Sequence, residues 1–373
     1  MAKKTLQQLR DDIDHIDKTL HQLLNQRAVC AQEVAAVKLA ENAVSMAKSS
    51  QEQAEQVRFY RPEREAQVLR RVKQRNNGPL SDQTVAYLFR EIMSACLALE
   101  QPVKVAYLGP AGTFTHAATN KHFGYAVDAI AVDAIEQVFS EVVCREADYG
   151  VVPVENSTEG MVALTLDQFM TQEVKICGEV ELPVEHNLLI NKTADISKVE
   201  TIAAHQQALS QCRHYLDKHW PSLKREALSS NAQAASLAQK DPTMLAIASH
   251  TAADLYQLDI VKRQIQDSQH NTTRFLIIGR EQIASSGNDK TSIIVSVRNK
   301  PGALFVLLEA FEREQIMLTR IDTRPSKTEK WAYVFFIEFE GHIHDATIQK
   351  IMSDLAAKSI SIKLLGSYPK AIL

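Results

Sequence analysis

The chain has 373 residues, which at about 150 residues per domain implies two or three domains. Hydrophobic residues make up 45% and charged residues 23%, too apolar for a disordered chain, while 12 Gly and 11 Pro exclude collagen-like and low-complexity classes. A net charge of −3 removes the basic footprint of a general nucleic-acid binder, so any cationic function must be local.

No apolar run approaches the ~18 residues of a membrane span. The start, M-A-K-K-T-L-Q-Q-L-R-D-D, lacks the apolar core of a signal peptide. A cytoplasmic protein is therefore expected. Cys30, Cys96, Cys144, Cys177 and Cys212 are odd in number and widely spaced, which predicts buried free thiols rather than disulfides or a zinc site.

Residues 1–101 read as all helix. Leu6, Leu9, Ile13, Ile16, Leu20 and Leu23 recur at alternating steps of three and four, a heptad seam that continues through Arg27, Cys30, Val34 and Val37. One long helix is expected to about Glu41. A second starts near Pro62, with Glu63 and Glu65 in its first turn, and ends at Asn76-Asn77-Gly78-Pro79. A third follows an N-cap at Ser81, with a seam of Val85, Leu88, Ile92, Ala95 and Leu99. One compact chain cannot bury seams of this length. Two chains are expected to pack them together as a homodimer.

Residues 103–281 alternate strand and helix patterns, an α/β block. Strands are expected at Val103–Leu108, Tyr149–Val154, Val174–Val180, His186–Ile190 and Arg274–Ile278, and a helix at Ala232–Gln239. Ala284–Lys290 is a linker by composition. Residues 290–373 form the last block. Its order is strand Ser292–Val297, helix Ala303–Glu314, strand Met317–Arg324, strand Trp331–Glu338, helix Asp345–Ala357 and strand Ile362–Leu365, a ferredoxin-like α+β unit.

Arg27 holds a seam position that the pattern reserves for an apolar side chain. A buried guanidinium needs an anionic partner. That partner is either one of the chain's own acids (Asp14, Asp17 or Glu33) or a ligand. Lys38 lies eleven residues later on the same helical face, about 16 Å along the axis, so both side chains can converge on a small anion. Arg10 lies about 25 Å from Arg27 in the other direction and can serve only the pocket of a partner chain.

The spacing of Arg10, Arg27 and Lys38, then R-P-E-R-E (Arg61–Glu65) and L-F-R-E-I-M-S-A-C-L-A-L-E (Leu88–Glu100), resembles the all-helical chorismate mutase family. The resemblance implies an intertwined dimer with a cationic cage around a dicarboxylate, and a rearrangement that needs conformer selection and charge stabilisation but no cofactor. By resemblance, Arg27 grips one carboxylate and Arg10 of the other chain the second. Lys38 donates to the ether oxygen, Glu63 receives the substrate hydroxyl, and Cys96 and Glu100 complete the site. Arg58 and Arg61 are alternative ligands for the ring carboxylate. A carboxylate beside the ether oxygen would repel the developing charge, so Glu100 helps only when protonated. Ser45–Gln56 reads as a solvated insertion.

In the second block Y-L-G-P-A-G-T-F-T (Tyr107–Thr115), V-V-P-V-E-N-S-T-E-G (Val151–Gly160), H-Q-Q-A-L-S-Q-C (His205–Cys212), S-S-N-A-Q-A-A (Ser229–Ala235) and T-R-F (Thr273–Phe275) resemble, in order, prephenate dehydratase. That family has two α/β lobes around a cleft, similar to periplasmic binding proteins. The resemblance implies Thr273 at the leaving hydroxyl. Glu155, Asn156, Ser157, Thr158, Gln211, Arg274 and Phe275 are the other candidate substrate contacts. The Gly109–Gly112 turn is a natural carboxylate site but not a nucleotide loop. His205 is set aside, since a lone His is more often structural.

The run Asn299-Lys-Pro-Gly-Ala-Leu304, followed by Asp322-Thr-Arg-Pro325, resembles the ACT regulatory domain. The resemblance implies phenylalanine as effector, with Asn299, Gly302, Ala303, Leu304, Asp322, Thr323, Arg324 and Pro325 as candidate contacts. His342 and His344 are too few for a metal site. The expectation is a multidomain protein that turns chorismate into prephenate and prephenate into phenylpyruvate under phenylalanine control, with no cofactor or metal. The alternatives are an arogenate-preferring dehydratase fused to the same mutase, and a two-lobed amino-acid sensor without chemistry.

Overall fold

The computed structural model describes residues 4–48, 58–298, 300–325 and 333–373. Asn299, Trp331 and most of the Ser45–Gln56 insertion lie outside the described residues. The chain divides into two units, one of Met1–Arg61, Arg71–Val103 and Phe123–Asp128, the other of Pro62–Arg70, Lys104–His122 and Ala129–Leu373. Among the described residues no helix is long and apolar enough to cross a membrane.

The elements begin with α1 (Leu6–Lys48), α2 (Pro62–Gln74) and α3 (Asp82–Glu100). Helix α1 runs 43 residues because nothing in it caps or breaks the heptad pattern. The proline that opens α2 sits where its missing N–H costs nothing. The Ser81 side chain accepts from the Thr84 backbone N–H at 3.1 Å and starts α3. Every residue from Lys4 to Gln26 is exposed, so the apolar seam of α1 is left uncovered, with Leu6 at 66% and Ile13 at 56% exposure. The expected seam of α3 also turns largely outward: Leu88 and Leu99 are half exposed, and the buried face is Ala86, Arg90, Met93, Ser94 and Cys96.

In the second unit the first lobe contains β1 (Lys104–Leu108), α4 (Phe114–Phe123), β2 (Asp128–Val132), α5 (Ile135–Val143), β3 (Tyr149–Asn156), β4 (Gly160–Met161), α6 (Ala163–Thr171) and β5 (Lys175–Pro183). The second lobe contains β6 (Asn187–Asn191), β7 (Thr201–His205), α7 (Gln206–Gln211), α8 (Arg213–His219), β8 (Lys224–Leu228), α9 (Asn231–Ala238), β9 (Met244–Ala248), α10 (His250–Leu255) and β10 (Leu258–Lys262). The chain then returns to the first lobe as β11 (Thr272–Gly279). The first sheet has the order β2-β1-β3-β11-β5 with β4 on β3, and the second β10-β6-β9-β7-β8. Strands β2, β7, β8, β9 and β10 carry no clear sequence signal. Met244–Ala248, for example, is buried on both faces and has no alternation to read.

The remaining elements are β12 (Asp289–Val297), α11 (Ala303–Arg313), β13 (Leu318–Pro325), β14 (Tyr333–Glu340), α12 (Ala346–Lys358) and β15 (Ser361–Pro369), in the expected ferredoxin-like order. Their sheet, β13-β14-β12-β15, is antiparallel throughout. Period-two alternation splits its two faces. Ile293, Val295, Phe335, Ile337 and Phe339 pack against α11 and α12. Ile294, Val334, Phe336, Leu365 and Tyr368 share one core with Val138, Phe139, Val154 and Leu276 of the first lobe. The dehydratase-like and ACT-like blocks are therefore fused through an apolar layer. Gly366 makes that approach possible, since a Cβ there would stand 2.3 Å from the Ile176 carbonyl oxygen.

All five cysteines are free. The expectation of burial fails for Cys30 and Cys144, which are exposed. Cys30 lies on the open stretch of α1.

Candidate active sites

In the helical unit the second half of α1 faces α3. The Arg27 guanidinium donates to the Ile92 carbonyl at 3.4 Å. Among the described residues no carboxylate pairs with it, so Asp14, Asp17 and Glu33 do not satisfy this cation. Eleven residues on, Lys38 Nζ stands 3.6 Å from a Glu100 carboxylate oxygen and 3.4 Å from the Phe59 carbonyl. It also lies 5.3 Å from the centre of the Phe59 ring. Burial pushes the Glu100 carboxyl above its usual range, against the opposing pull of Lys38 and Arg27. Arg58 is partly buried and donates to the Tyr60 carbonyl, whereas Arg61 is exposed. Cys96 and Glu63 are buried. Arg10 is exposed, far along α1 from Arg27 and Lys38.

Between the two lobes of the second unit lies a cavity of about 330 Å³. Thr273 and Asn156 face into it from neighbouring strands of the first lobe, Gln211 from the second. Asn156 Nδ2 donates to Thr273 Oγ1 and to Asn271 Oδ1, both at 2.8 Å. The Asn156 Oδ1 atom accepts from the backbone N–H groups of Thr158 and Glu159, which fixes which end of the amide faces Thr273. With its oxygen already accepting from Asn156, Thr273 has its own O–H left to donate.

The network continues across the cleft. Asn271 donates to Gln211 Oε1 at 3.3 Å, and Gln211 Oε1 stands 2.9 Å from His186 Nε2. Burial lowers the His186 pKa, so the ring is neutral near pH 7, and its Nε2–H donates to that carbonyl. Gln211 in turn donates to Glu159 of the first lobe at 3.4 Å. Among the described residues no Lys or Arg lines the cavity. Anionic groups there meet hydroxyls, amides and the starts of α4 and α9, whose dipoles favour negative charge.

Five expected contacts stand elsewhere. Glu155, Ser157, Thr158, Arg274 and Phe275 do not line the cavity. Ser157 Oγ donates to the His270 carbonyl and accepts from the Thr272 N–H, pinning the strand next to Thr273. Thr158 is exposed. Phe275 is a core side chain, 1% exposed. Arg274 follows Thr273 on a strand and so points to the opposite face. There it pairs with Glu179 and Glu338 at 2.8 and 2.7 Å. The expectation that it touches substrate is corrected accordingly. Sequence reasoning missed His186 and Asn271, lone polar residues with no motif of their own. It set aside His205, which lines the cavity with its ring nitrogen accepting from the Gln207 N–H.

In the ACT-like block, Gly302 holds φ +79° at the start of α11, with open space around it. Ala303 and Leu304 are partly buried beside it. Thr323 and Pro325 point outward from β13. Asp322 pairs with Arg320, and Arg324 makes two bonds to one Asp167 oxygen of the first lobe, at 2.7 and 3.1 Å.

Comparison with known proteins identifies the three blocks. Family models match residues 9–101 as chorismate mutase type II, 105–283 as prephenate dehydratase and 291–357 as an ACT domain. A bifunctional chorismate mutase/prephenate dehydratase of Pseudomonas aeruginosa is 51% identical over 99% of this chain and 98% of its own. One from Neisseria gonorrhoeae is 45% identical over 98% and 97%. The crystal structure of an Arthrobacter aurescens prephenate dehydratase in complex with L-Phe superposes with a TM-score of 0.66 at 32% identity, covering 72% of this chain and 90% of that one. With all three blocks matched in order and relatives aligned end to end, the chain belongs to the bifunctional chorismate mutase/prephenate dehydratase family.

Proposed function

We propose that the chain catalyses two consecutive steps in the cytoplasm, chorismate to prephenate in the helical unit and prephenate to phenylpyruvate in the cleft, and that phenylalanine restrains the second. The first step is an intramolecular rearrangement. It needs a folded substrate conformer and stabilisation of negative charge on the breaking ether oxygen. Arg27 holds one carboxylate, Lys38 donates to the ether oxygen, and Arg58, the less exposed of the two candidates, holds the ring carboxylate. The exposed apolar seam of α1 supports a homodimer in which Arg10 of one chain completes the cage of the other.

In the second step the ring carboxylate leaves as carbon dioxide and its bonding pair enters the ring, while the ring hydroxyl departs as water after gaining a proton. Aromatisation drives the reaction forward. Thr273 donates to the leaving oxygen, and Asn156 orients Thr273. The observation that carries this assignment is the 2.8 Å bond from Asn156 to Thr273 Oγ1, which leaves the threonine O–H available to donate into the cavity. Gln211 and the starts of α4 and α9 hold the carboxylates.

Replacing Thr273 by Ala should lower phenylpyruvate formation at least about a hundredfold, while chorismate is still consumed and prephenate accumulates. Loss of both steps, or of neither, would contradict the assignment. The pH profile of the mutase step tests Glu100. Its raised pKa means the protonated, donating form persists to higher pH than an ordinary carboxyl, and activity should fall as pH rises through that pKa. Glu100→Gln should flatten this limb; an unchanged decline would show that another group titrates. Chains carrying Arg10→Ala or Arg27→Ala should each be inactive as mutases. Refolded together they should recover about a quarter of the intact sites, because mixed dimers rebuild one site each. No recovery, with dimers shown to mix, would place Arg10 outside the partner's site.

A further inference from the structure

We propose that the ACT sheet sets the geometry of the dehydratase site through a crossed quartet of charges: Glu155 and Arg274 on the back of the first lobe, Arg320 and Glu338 on the ACT sheet. The inference rests on the reading of Thr273 and Asn156 as the pair that meets substrate, and of β13 as part of the effector site.

The strand register makes the connection. Thr273 is the cross-strand partner of Asn156, and Arg274 of Glu155. The pairing then skips to Phe275 opposite Pro153, which leaves Val154 without a partner in β11. This extra residue is a β-bulge, and it reverses the alternation of β3 beyond it. Asn156 thereby joins Thr273 on the cavity side, and Glu155 joins Arg274 on the side that the ACT sheet covers. On that sheet Arg320 and Glu338 are themselves cross-strand partners. The two pairs meet with opposite signs aligned. Arg274 Nη1 lies 2.7 Å from a Glu338 oxygen, and Arg320 Nη1 lies 3.3 Å from a Glu155 oxygen.

The surroundings over-determine this arrangement. Glu179 takes Arg274 on one side and Lys290 on the other. Tyr368 accepts from Arg274 at 3.3 Å and shares a 2.8 Å bond with Ser292. Arg274 and Glu338 are 9% and 5% exposed. A buried ion pair tolerates little displacement, because separation leaves desolvated charge uncompensated. Such pairs suit the setting of register better than the gain of stability. Arg320 is held by Asp322, a residue of the candidate effector motif, and also donates to the Val154 carbonyl at the bulge. A shift of β13 on effector binding would therefore pull Glu155 and the bulge. Asn156 lies one residue away, and its bond aims Thr273. Glu155 and Arg274 act in this account as positioning residues.

The test uses the full-length chain with chorismate and prephenate as separate substrates, and mutase turnover on the same sample as the control for folding. Glu338→Gln keeps the shape and removes the charge. It should lower the dehydratase kcat roughly tenfold with KM changed less than about twofold, because aim is lost rather than binding. Glu155→Gln, at a more exposed end of the quartet, should change the phenylalanine concentration for half-inhibition by about fivefold or more. Arg320→Lys should retain more phenylalanine response than Arg320→Met. Normal mutase turnover together with unchanged dehydratase kcat and unchanged inhibition in both Gln variants would overturn the proposal. If Glu338→Gln also abolishes mutase turnover, Glu155→Gln decides alone. If the unaltered chain does not respond to phenylalanine, the effector reading fails, and the kcat of Glu338→Gln still decides whether the quartet positions Thr273.

Discussion

The bulge at Val154 is the constraint on which the second unit depends. Adjacent residues on a strand face opposite ways, so a strand pair that presents Thr273 to a cavity must present Arg274 to whatever lies behind. Without the extra residue on β3, Asn156 would fall on the wrong face and the 2.8 Å bond that orients Thr273 could not form. With it, one cross-strand pair faces the cavity and the next faces the ACT sheet. The cavity pair and the pair proposed to couple to the ACT sheet thus sit one peptide apart. The apolar layer from Phe139 through Leu276 to Phe336 keeps Arg274 and its partner Glu338 away from water, which makes those two charges strongly dependent on one another.

The two sites answer the problem of a small dianion differently. In the proposed reading the helical unit uses fixed cations, Arg27 and Lys38, spaced by about three turns of one long helix. A rearrangement that builds charge on an oxygen benefits from a full positive charge close by. Among the described residues the cleft has no lysine or arginine on its wall. There a carboxylate must be lost as neutral carbon dioxide, and a cation clamped to it would favour the starting state over the product. Hydroxyls, amides and helix starts would hold an anion firmly enough to place it and leave the departing charge free to move into the ring.

Much of this was legible in the sequence. The heptad steps located α1, and the break of pattern at Arg27 located a cation that no carboxylate among the described residues holds in an ion pair. The phrases around Asn156, Gln211 and Thr273 marked the cleft. What stayed hidden follows from physical causes. The inner strands of the second lobe, such as Met244–Ala248, are buried on both faces and carry no period. The phrase T-R-F names three consecutive residues of which one meets the cavity, and composition does not say which. A bulge adds a residue without a compositional mark, so Glu155 reads as a cleft residue when it faces backward. His186 and Asn271 matter because they complete the hydrogen bonds of Gln211 and Asn156, a role defined only by packing.

Amide hydrogen exchange of the intact chain, with and without saturating phenylalanine, tests the link between effector and chemistry most directly. Peptides covering Pro153–Thr158 and Thr272–Phe275 should change their protection when phenylalanine binds, together with β13, while the central strands β7 and β9 of the second lobe exchange as before. Inhibition of the dehydratase with no change in those two segments would contradict the account.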